Sequence, residues 1–243
     1  MPVIVDRHTT CLLPADLEKG VIILFDKEYR WTSFDVVKKV KSIISNRLKI
    51  KKLKIGHAGT LDPLATGLLI VCTGKMTKQI ESLQNTMKEY IATLEFGKTT
   101  PCFDLEQPYD KEYPFEHITR SLLEEKLSLF IGETAQVPPL FSAKLVKGKR
   151  AYDLARKGDD VQLKPAKIFI EKIEILEFNL PILKIRVVCS KGTYIRALAR
   201  DIGFAVGSGA HLVALRRTVS GDFNVENAIK IGFFEKIVLS LQA

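Results

Sequence analysis

Apolar and polar residues along this chain form two kinds of pattern, which follow one another in no regular order. Strict alternation over 88–96 predicts a strand with one face formed by Tyr90, Ala92, Leu94 and Phe96, and the other by Glu89, Thr93 and Glu95. Short apolar runs or alternating segments predict further strands at 20–26, 68–72, 168–178 and 183–189.

Helical spacing of apolar residues appears between these segments. Val36, Val37, Val40, Ile43 and Ile44 fall on one helix face, and Ser33 is the expected N-cap. Similar stripes predict helices at 118–131, from about 195 and at 228–241. Because no βαβ rhythm is present, the order predicts an α+β fold with a largely antiparallel mixed sheet flanked by helices.

The stretch 133–163 interrupts this order. It contains Pro138-Pro139, Gly148 and Gly158, and it has little strand pattern. Such a segment is typical of a mobile excursion rather than of the core.

Composition excludes several classes of protein. The chain has 243 residues, 46% of them apolar, which is enough for a sizeable core. No segment approaches the ~18 uncharged apolar residues of a membrane span, and Met1 to Lys19 does not resemble a signal peptide. The four cysteines and four histidines are widely spaced, so we expect no disulfide and no metal site in a cytoplasmic protein.

Positive charge is concentrated in two places. The formal net charge is +9, residues 38–54 hold eight Lys or Arg and no acid, and residues 144–157 hold six with one acid. An ordinary solvated face is one interpretation of such runs. The separate acidic stretch 104–116 favours the other, a face that binds a polyphosphate backbone.

Asp62 is the first candidate for chemistry. It lies in Gly56-His57-Ala58-Gly59-Thr60-Leu61-Asp62-Pro63, where glycines permit tight turns and Pro63 favours an extended or turn backbone at Asp62. A rigid single carboxylate suits covalent or proton-transfer catalysis. The spacing matches no P-loop or dinucleotide fingerprint, so no nucleotide cofactor is expected. The alternative is a purely structural Asp-Pro turn.

Two further segments carry candidate residues. In Cys189-Ser190-Lys191-Gly192-Thr193-Tyr194-Ile195-Arg196, an arginine that can bind a carboxylate bidentately follows a tyrosine at the start of a helix. Tyr90, in Lys88-Glu89-Tyr90, could stack on a base. Each could equally be an ordinary structural or surface residue.

Five motifs together carry a resemblance that no single motif does. They are G-H-A-G-T-L-D-P-x-A-x-G-x-L at 56–69, K-x-Y at 88–90, the segment from Pro138-Pro139 to Ala155-Arg156, C-S-K-G-T-Y-I-R at 189–196, and G-A-H-L-x-x-L-R-R at 209–217. In this order they resemble the TruB family, enzymes that convert the uridine at position 55 of the tRNA T-arm to pseudouridine. The resemblance extends from about Gly20 to Ala228.

The resemblance implies a catalytic group of three residues. Asp62 is expected to assist cleavage of the glycosidic bond and reattachment of the uracil through C5. Arg196 is expected to pair with Asp62, and Tyr194 to lie near C5 and remove its proton. Whether Asp62 attacks the sugar or acts through a glycal-type path is left open.

It also implies substrate contacts. Tyr90 is expected to stack on the flipped uracil, Leu215 to wall the base pocket, and His57 to enter the space left by the nucleotide. Residues 133–163 correspond to the family's thumb, which would clamp the T-arm. The thumb's basic residues are Lys144, Lys147, Lys149 and Arg150.

The chain departs from the family in two places. Many relatives carry an aspartate-and-glycine turn where this chain has Asp104-Leu105-Glu106-Gln107, which puts the local turn in question and leaves the chemistry unaffected. Only 15 residues follow Ala228, so we expect a single catalytic domain over 1–243 without a C-terminal PUA domain, acting as a monomer on tRNA. The alternatives are a non-catalytic RNA-binding protein with this fold and a synthase for a different uridine.

Overall fold

The computed structural model divides into two compact units, Met1–Tyr90 with Arg216–Ala243, and Ile91–Leu215. It describes residues 2–141, 145–146, 149–150 and 163–239, with the backbone alone at 145–146 and 149–150. The expectation of a single catalytic domain stays a prediction.

The described residues form strands and helices as follows. The strands are β1 (Val3–Val5), β2 (Val21–Lys27), β3 (Ile55–Ala58), β4 (Ala65–Thr73), β5 (Lys88–Phe96), β6 (Lys98–Thr99), β7 (Lys111–Glu112), β8 (Gly132–Gln136), β9 (Leu145–Val146), β10 (Lys149–Arg150), β11 (Ala166–Asn179), β12 (Ile182–Cys189), β13 (Ala210–Ser220) and β14 (Phe223–Asn224). The α-helices are α1 (Pro14–Lys19), α2 (Ser33–Leu48), α3 (Ile80–Gln84), α4 (Arg120–Ser128), α5 (Ile195–Ala205) and α6 (Ile231–Leu239).

In the first unit, β4 is the central strand. It pairs antiparallel with both β2 and β3, and β1 adds to β2 in parallel. Side chains of these strands, including Leu24, Leu68 and Ile70, form a buried cluster, and each such side chain stabilises the fold by roughly 2 kcal/mol. Phe25 meets Phe234 of α6 edge to face, with ring centroids 5.7 Å apart. This core fixes both ends of the loop between β3 and β4.

Helix α2 begins one residue earlier than the sequence predicted. The Thr32 hydroxyl accepts the Asp35 N–H at 3.0 Å, and the Asp35 carboxylate accepts the Thr32 N–H at 2.9 Å. This reciprocal capping box makes Thr32 the N-cap. The assignment of Ser33 was therefore wrong, and Ser33 is a buried first residue of the helix whose hydroxyl bonds elsewhere.

The second unit is built on a long antiparallel pair. Strand β11 pairs with β12 and, on its other edge, with β8. The mainly antiparallel pairing with flanking helices in both units confirms the predicted α+β class. The helix predicted over 118–131 is shorter, because the Thr119 hydroxyl caps α4 by accepting the Leu122 N–H.

The stretch predicted to have little strand pattern begins with a strand. Residues 133–136 belong to β8, and their ladder with β11 runs from Gln136 opposite Ala166 to Gly132 opposite Ile170. The prediction was wrong here because a long neighbouring strand supplies the backbone partners that a short polar segment does not reveal. Residues 142–144, 147–148 and 151–162 lie outside the described residues.

None of the helices among the described residues is long and apolar enough to cross a membrane. No three His, Cys, Asp or Glu side chains in the described ranges are grouped so that they could hold a metal ion.

The cysteines supply a test of the core. Cys11 is exposed, whereas Cys72, Cys102 and Cys189 are buried, and burial raises the pKa of Cys72 to about 11. Since the thiolate is the reactive form, we expect one thiol to react rapidly with Ellman's reagent at pH 8 and all four to react in denaturant. Cys11→Ser should remove the fast phase, and a second fast thiol would contradict the packing.

Candidate active site

Asp62 lies where the loop after β3 turns into β4. Its backbone carbonyl accepts the Ala65 N–H at 3.1 Å, closing a turn through Pro63. The side chain is half-buried. The sequence prediction of a carboxylate held on a turn just before the next element is confirmed.

A buried serine fixes the residue before Asp62. The Ser33 hydroxyl, 2% exposed, accepts the Leu61 N–H at 2.8 Å and donates to the Leu61 carbonyl at 3.2 Å. A hydroxyl that satisfies both backbone groups of one residue fixes its position and its orientation. Leu61 itself is buried, so the peptide leading to Asp62 has little freedom.

A buried lysine fixes the residue after Asp62. Lys27 is 1% exposed, and its ammonium donates to the carbonyls of Glu28, Trp31 and Pro63 at 3.0, 2.5 and 3.3 Å. Burial lowers the pKa of Lys27 to about 8, and the Asp62 carboxylate partly offsets that effect. Lys27 therefore remains mainly protonated at neutral pH.

Arg217 holds the beginning of the loop. Arg217 is 1% exposed. Its guanidinium donates to the carbonyls of Leu68 at 2.7 Å and Gly59 at 3.1 Å. Gly67 has φ +98°, and a Cβ there would lie 2.2 Å from the Arg217 carbonyl oxygen. This glycine thus allows one backbone segment to approach another closely.

His57 and Tyr90 belong to the same unit as Asp62. His57 is half-buried on β3, and burial, followed by the charge of Arg217, lowers its pKa, so the imidazole is neutral at pH 7. Its Nδ1 atom is buried and has no hydrogen-bond partner in the described protein. Tyr90 is half-buried on β5. Next to it, the Thr218 hydroxyl donates to the Glu89 carboxylate at 2.7 Å.

Arg196, in the second unit, is fixed by three neighbours. It donates to the carbonyls of Cys102 at 3.1 Å and Phe141 at 2.9 Å, and its Nε lies 3.5 Å from the Asp104 carboxylate. The side chains of Arg196 and Asp104 are each 5% exposed. The Asp104 carboxylate also accepts the Glu106 N–H at 3.0 Å. The turn at 104–107, which the sequence analysis set apart from the chemistry, contacts a candidate catalytic residue directly.

Tyr194 precedes helix α5, and a glutamine fixes its backbone. The Gln136 side chain accepts the Tyr194 N–H at 2.8 Å and donates to the Tyr194 carbonyl at 3.1 Å. Gln136 is 3% exposed. Tyr194 and Leu215 are both half-buried. Each unit therefore orients its own candidates through buried polar side chains that bond to backbone.

The basic residues of the predicted thumb are described least. Lys144 and Lys147 lie outside the described residues, and for Lys149 and Arg150 the structure gives the backbone of β10 alone. By contrast, the run 38–54 is fully described. All eight of its basic side chains are exposed, and the run leads directly into β3.

Sequence reasoning missed the residues that support the candidates. They are Lys27, Ser33, Asp104, Gln136 and Arg217. Lys27 ends β2 after Asp26 and lies outside the apolar run of the strand, so the local pattern gives no signal of its burial. Ser33, Gln136 and Arg217 bond to backbone atoms distant in sequence, and Asp104 pairs with the side chain of Arg196. No local pattern predicts such contacts.

Two protein-family models together match most of the chain. Residues 46–195 match the model of the TruB family pseudouridylate synthase (N terminal domain). Residues 196–242 match the tRNA pseudouridylate synthase B C-terminal domain.

Individual relatives with high sequence identity carry the name of the same family of enzymes. The chain is 60% identical over 219 residues to tRNA pseudouridine synthase B of Phocaeicola vulgatus, covering 90% of this chain and 93% of that protein. It is 49% identical over 226 residues to the Flavobacterium johnsoniae protein of the same name, and the match covers 93% of this chain and 99% of that protein.

Two solved structures contain chains similar to this one. One chain of a Cbf5-Nop10-Gar1 complex matches with a TM-score of 0.69 and 28% identity over 96% of this chain and 62% of that one. A chain of the archaeal box H/ACA sRNP Nop10-Cbf5 complex matches with a TM-score of 0.65 and 27% identity, over 91% and 54%. This chain thus spans little more than half of those proteins. The chain belongs to the TruB family of tRNA pseudouridine synthases.

Proposed function

We propose that this enzyme isomerises the uridine at position 55 of the tRNA T-arm to pseudouridine, with Asp62 as the catalytic carboxylate. The N1–C1′ bond breaks and a C5–C1′ bond forms, while C5 loses a proton and N1 gains one. The reaction is therefore balanced without a cofactor. The observation that supports Asp62 most strongly is its loop, where buried Ser33, Lys27 and Arg217 hold the backbone on both sides.

A uridine inside the folded T-loop must leave the stack before a carboxylate can reach its sugar. Extrusion costs a few kcal/mol, and stacking on an aromatic ring offsets part of that. We assign the stacking to Tyr90 and one wall of the base pocket to Leu215. His57 would occupy the vacated space.

Arg196 and Tyr194 complete the proposed chemistry. Arg196 would orient Asp62 when RNA is bound, and Tyr194 would take the C5 proton. Support comes from how rigidly both are fixed: Asp104 and two carbonyls hold Arg196, and Gln136 holds the backbone of Tyr194.

The exposed basic run 38–54 would attract the phosphate backbone. Segment 133–163 would act as the thumb, with Lys144, Lys147, Lys149 and Arg150 against the T-arm. We propose that the enzyme works as a monomer in the cytoplasm.

The central test uses a T-arm minihelix transcript beside full-length tRNA. Carbodiimide-induced primer-extension stops should appear at the T-loop uridine with the unaltered protein. Asp62→Asn should abolish them while RNA affinity stays within about threefold, because the change removes a reacting carboxylate and no phosphate contact.

The outcomes separate the alternatives. Stops at another uridine would indicate a synthase of different specificity. Binding without any stop would indicate an RNA-binding protein. Turnover by the Asp62→Asn variant would remove Asp62 from the chemistry.

A second prediction concerns Ser33, which has a matched control in Thr73. The Thr73 hydroxyl is also fully buried, accepting the Val21 N–H at 3.1 Å and donating to the Leu17 carbonyl at 2.9 Å. Ser33→Ala and Thr73→Val should each lower the free energy of unfolding by about 1–3 kcal/mol. Only Ser33→Ala should also reduce kcat, by about tenfold or more, because a displacement of 1 Å at a reacting group has effects of this size.

Both variants are assayed well below their unfolding temperatures with saturating RNA. Equal kcat values for the two would mean that Ser33 contributes stability and nothing more. A loss confined to KM would place its effect on binding.

A third prediction concerns the basic run. Lys51 and Lys52 are exposed, and replacing both with glutamine should reduce the slope of log affinity against log salt by about 2. Lys184→Gln, which removes a lysine paired with Glu177 at 2.6 Å, serves as the control. An unchanged slope in the double variant would identify the run as an ordinary solvated face.

A further inference from the structure

The turn between β2 and α2, residues 28–31, is attached to the catalytic loop. The Arg30 N–H donates to the Pro63 carbonyl at 2.8 Å, and Lys27 bonds to the carbonyls of both Trp31 and Pro63. One backbone hydrogen bond therefore connects Arg30 to the residue that follows Asp62. The turn therefore lies beside the loop that would receive the target nucleotide.

Arg30 has an unusual backbone conformation. Its φ is +67°, in the left-handed region that glycine occupies without cost and that a residue with a Cβ rarely adopts. Strained residues of this kind persist where surrounding bonds hold them, and they are frequent at functional sites. A residue with a large side chain at such a position implies a use for that side chain.

The side chains of this turn face solvent. Tyr29 is 48% exposed, and the Arg30 guanidinium lies 5.6 Å from the centre of its ring. Within the described part of the chain, Arg30 forms no ion pair, although Glu28 beside it is also exposed. The pair thus presents an exposed aromatic ring and, over one of its faces, a cation that has no carboxylate partner among the described residues.

We infer that Tyr29 and Arg30 form a binding surface for the RNA strand next to the target uridine. Tyr29 stacks on a base that neighbours the target, and Arg30 binds a phosphate of the same strand. Aromatic rings with adjacent arginines are typical of surfaces that bind single-stranded nucleic acid. This inference rests on the proposed function, since it takes the position of the RNA from Asp62.

Replacing Tyr29 and replacing Arg30 should change RNA affinity and its salt dependence in different ways. Tyr29→Ala should weaken binding of the T-arm minihelix about tenfold without changing its salt dependence, because stacking involves no charge. Tyr29→Phe should restore the affinity. Arg30→Gly should weaken binding about five- to tenfold and reduce the salt slope by about 1.

Arg30→Gly also separates binding from folding. Glycine accepts φ +67° without strain, so this variant should unfold at the same temperature as the unaltered protein or at a higher one. Phe233→Ala, which removes a 40% exposed aromatic ring from α6, and Arg7→Gly, which removes an exposed arginine, are the matched controls and should leave RNA affinity within twofold.

Conversion by the unaltered enzyme is measured in the same reactions. If it converts the minihelix and the Tyr29→Ala and Arg30→Gly variants bind as tightly as it does, the inference is wrong and the proposed function stands. If it binds the minihelix without conversion, the proposed function fails, while weaker binding by both variants would still support an RNA surface here. If it neither binds nor converts, both fail.

Discussion

The role proposed for Asp62 needs a carboxylate on a backbone that does not move, and in this protein buried side chains hold that backbone. Ser33 satisfies both backbone groups of Leu61, Lys27 binds the Pro63 carbonyl, and Arg217 binds the Gly59 carbonyl. All three hold backbone rather than the Asp62 side chain. These bonds set the position of the loop through its backbone, and the Asp62 carboxylate in turn favours the protonated form of Lys27.

The second unit applies the same device to Arg196 and Tyr194. Two carbonyls and Asp104 hold the guanidinium, and Gln136 satisfies both backbone groups of Tyr194 as Ser33 does for Leu61. Removing one partner of such a bond leaves a buried polar group unsatisfied, at a cost of about 1–3 kcal/mol. These supports therefore also contribute to the stability of the units they belong to.

The sequence predicted the elements better than it predicted the supports. Strand β5 and the apolar face of α2 follow from local periodicity, and Pro63 with the neighbouring glycines is enough to place Asp62 on a turn. The position of Ser33 at a helix start predicts an N-cap, because serine is common there, but its hydroxyl bonds to Leu61 instead. Its real partner lies 28 residues away. Such a bond depends on how strands pair, which local pattern does not specify.

Asp104 is misleading for a related reason. In the sequence it belongs to a turn that departs from the family, and its carboxylate has an obvious local use in accepting the Glu106 N–H. The same carboxylate also faces Arg196, 92 residues further along the chain. A side chain with several acceptor sites can serve a turn and a distant cation together, and the sequence reveals only the first.

Lys27 has a consequence for the acid–base balance of folding. Its pKa is about 8 in the fold and 10.5 as an ordinary lysine, so between these values the unfolded chain holds a proton that the folded chain has released. Stability contributed by this residue therefore rises with pH across that window. The neutral amine of Lys27 has two hydrogens, whereas the ammonium present at lower pH donates to three carbonyls. Through Lys27 alone, mild alkali favours the folded chain while it loosens one of the bonds that hold residues 28, 31 and 63 together.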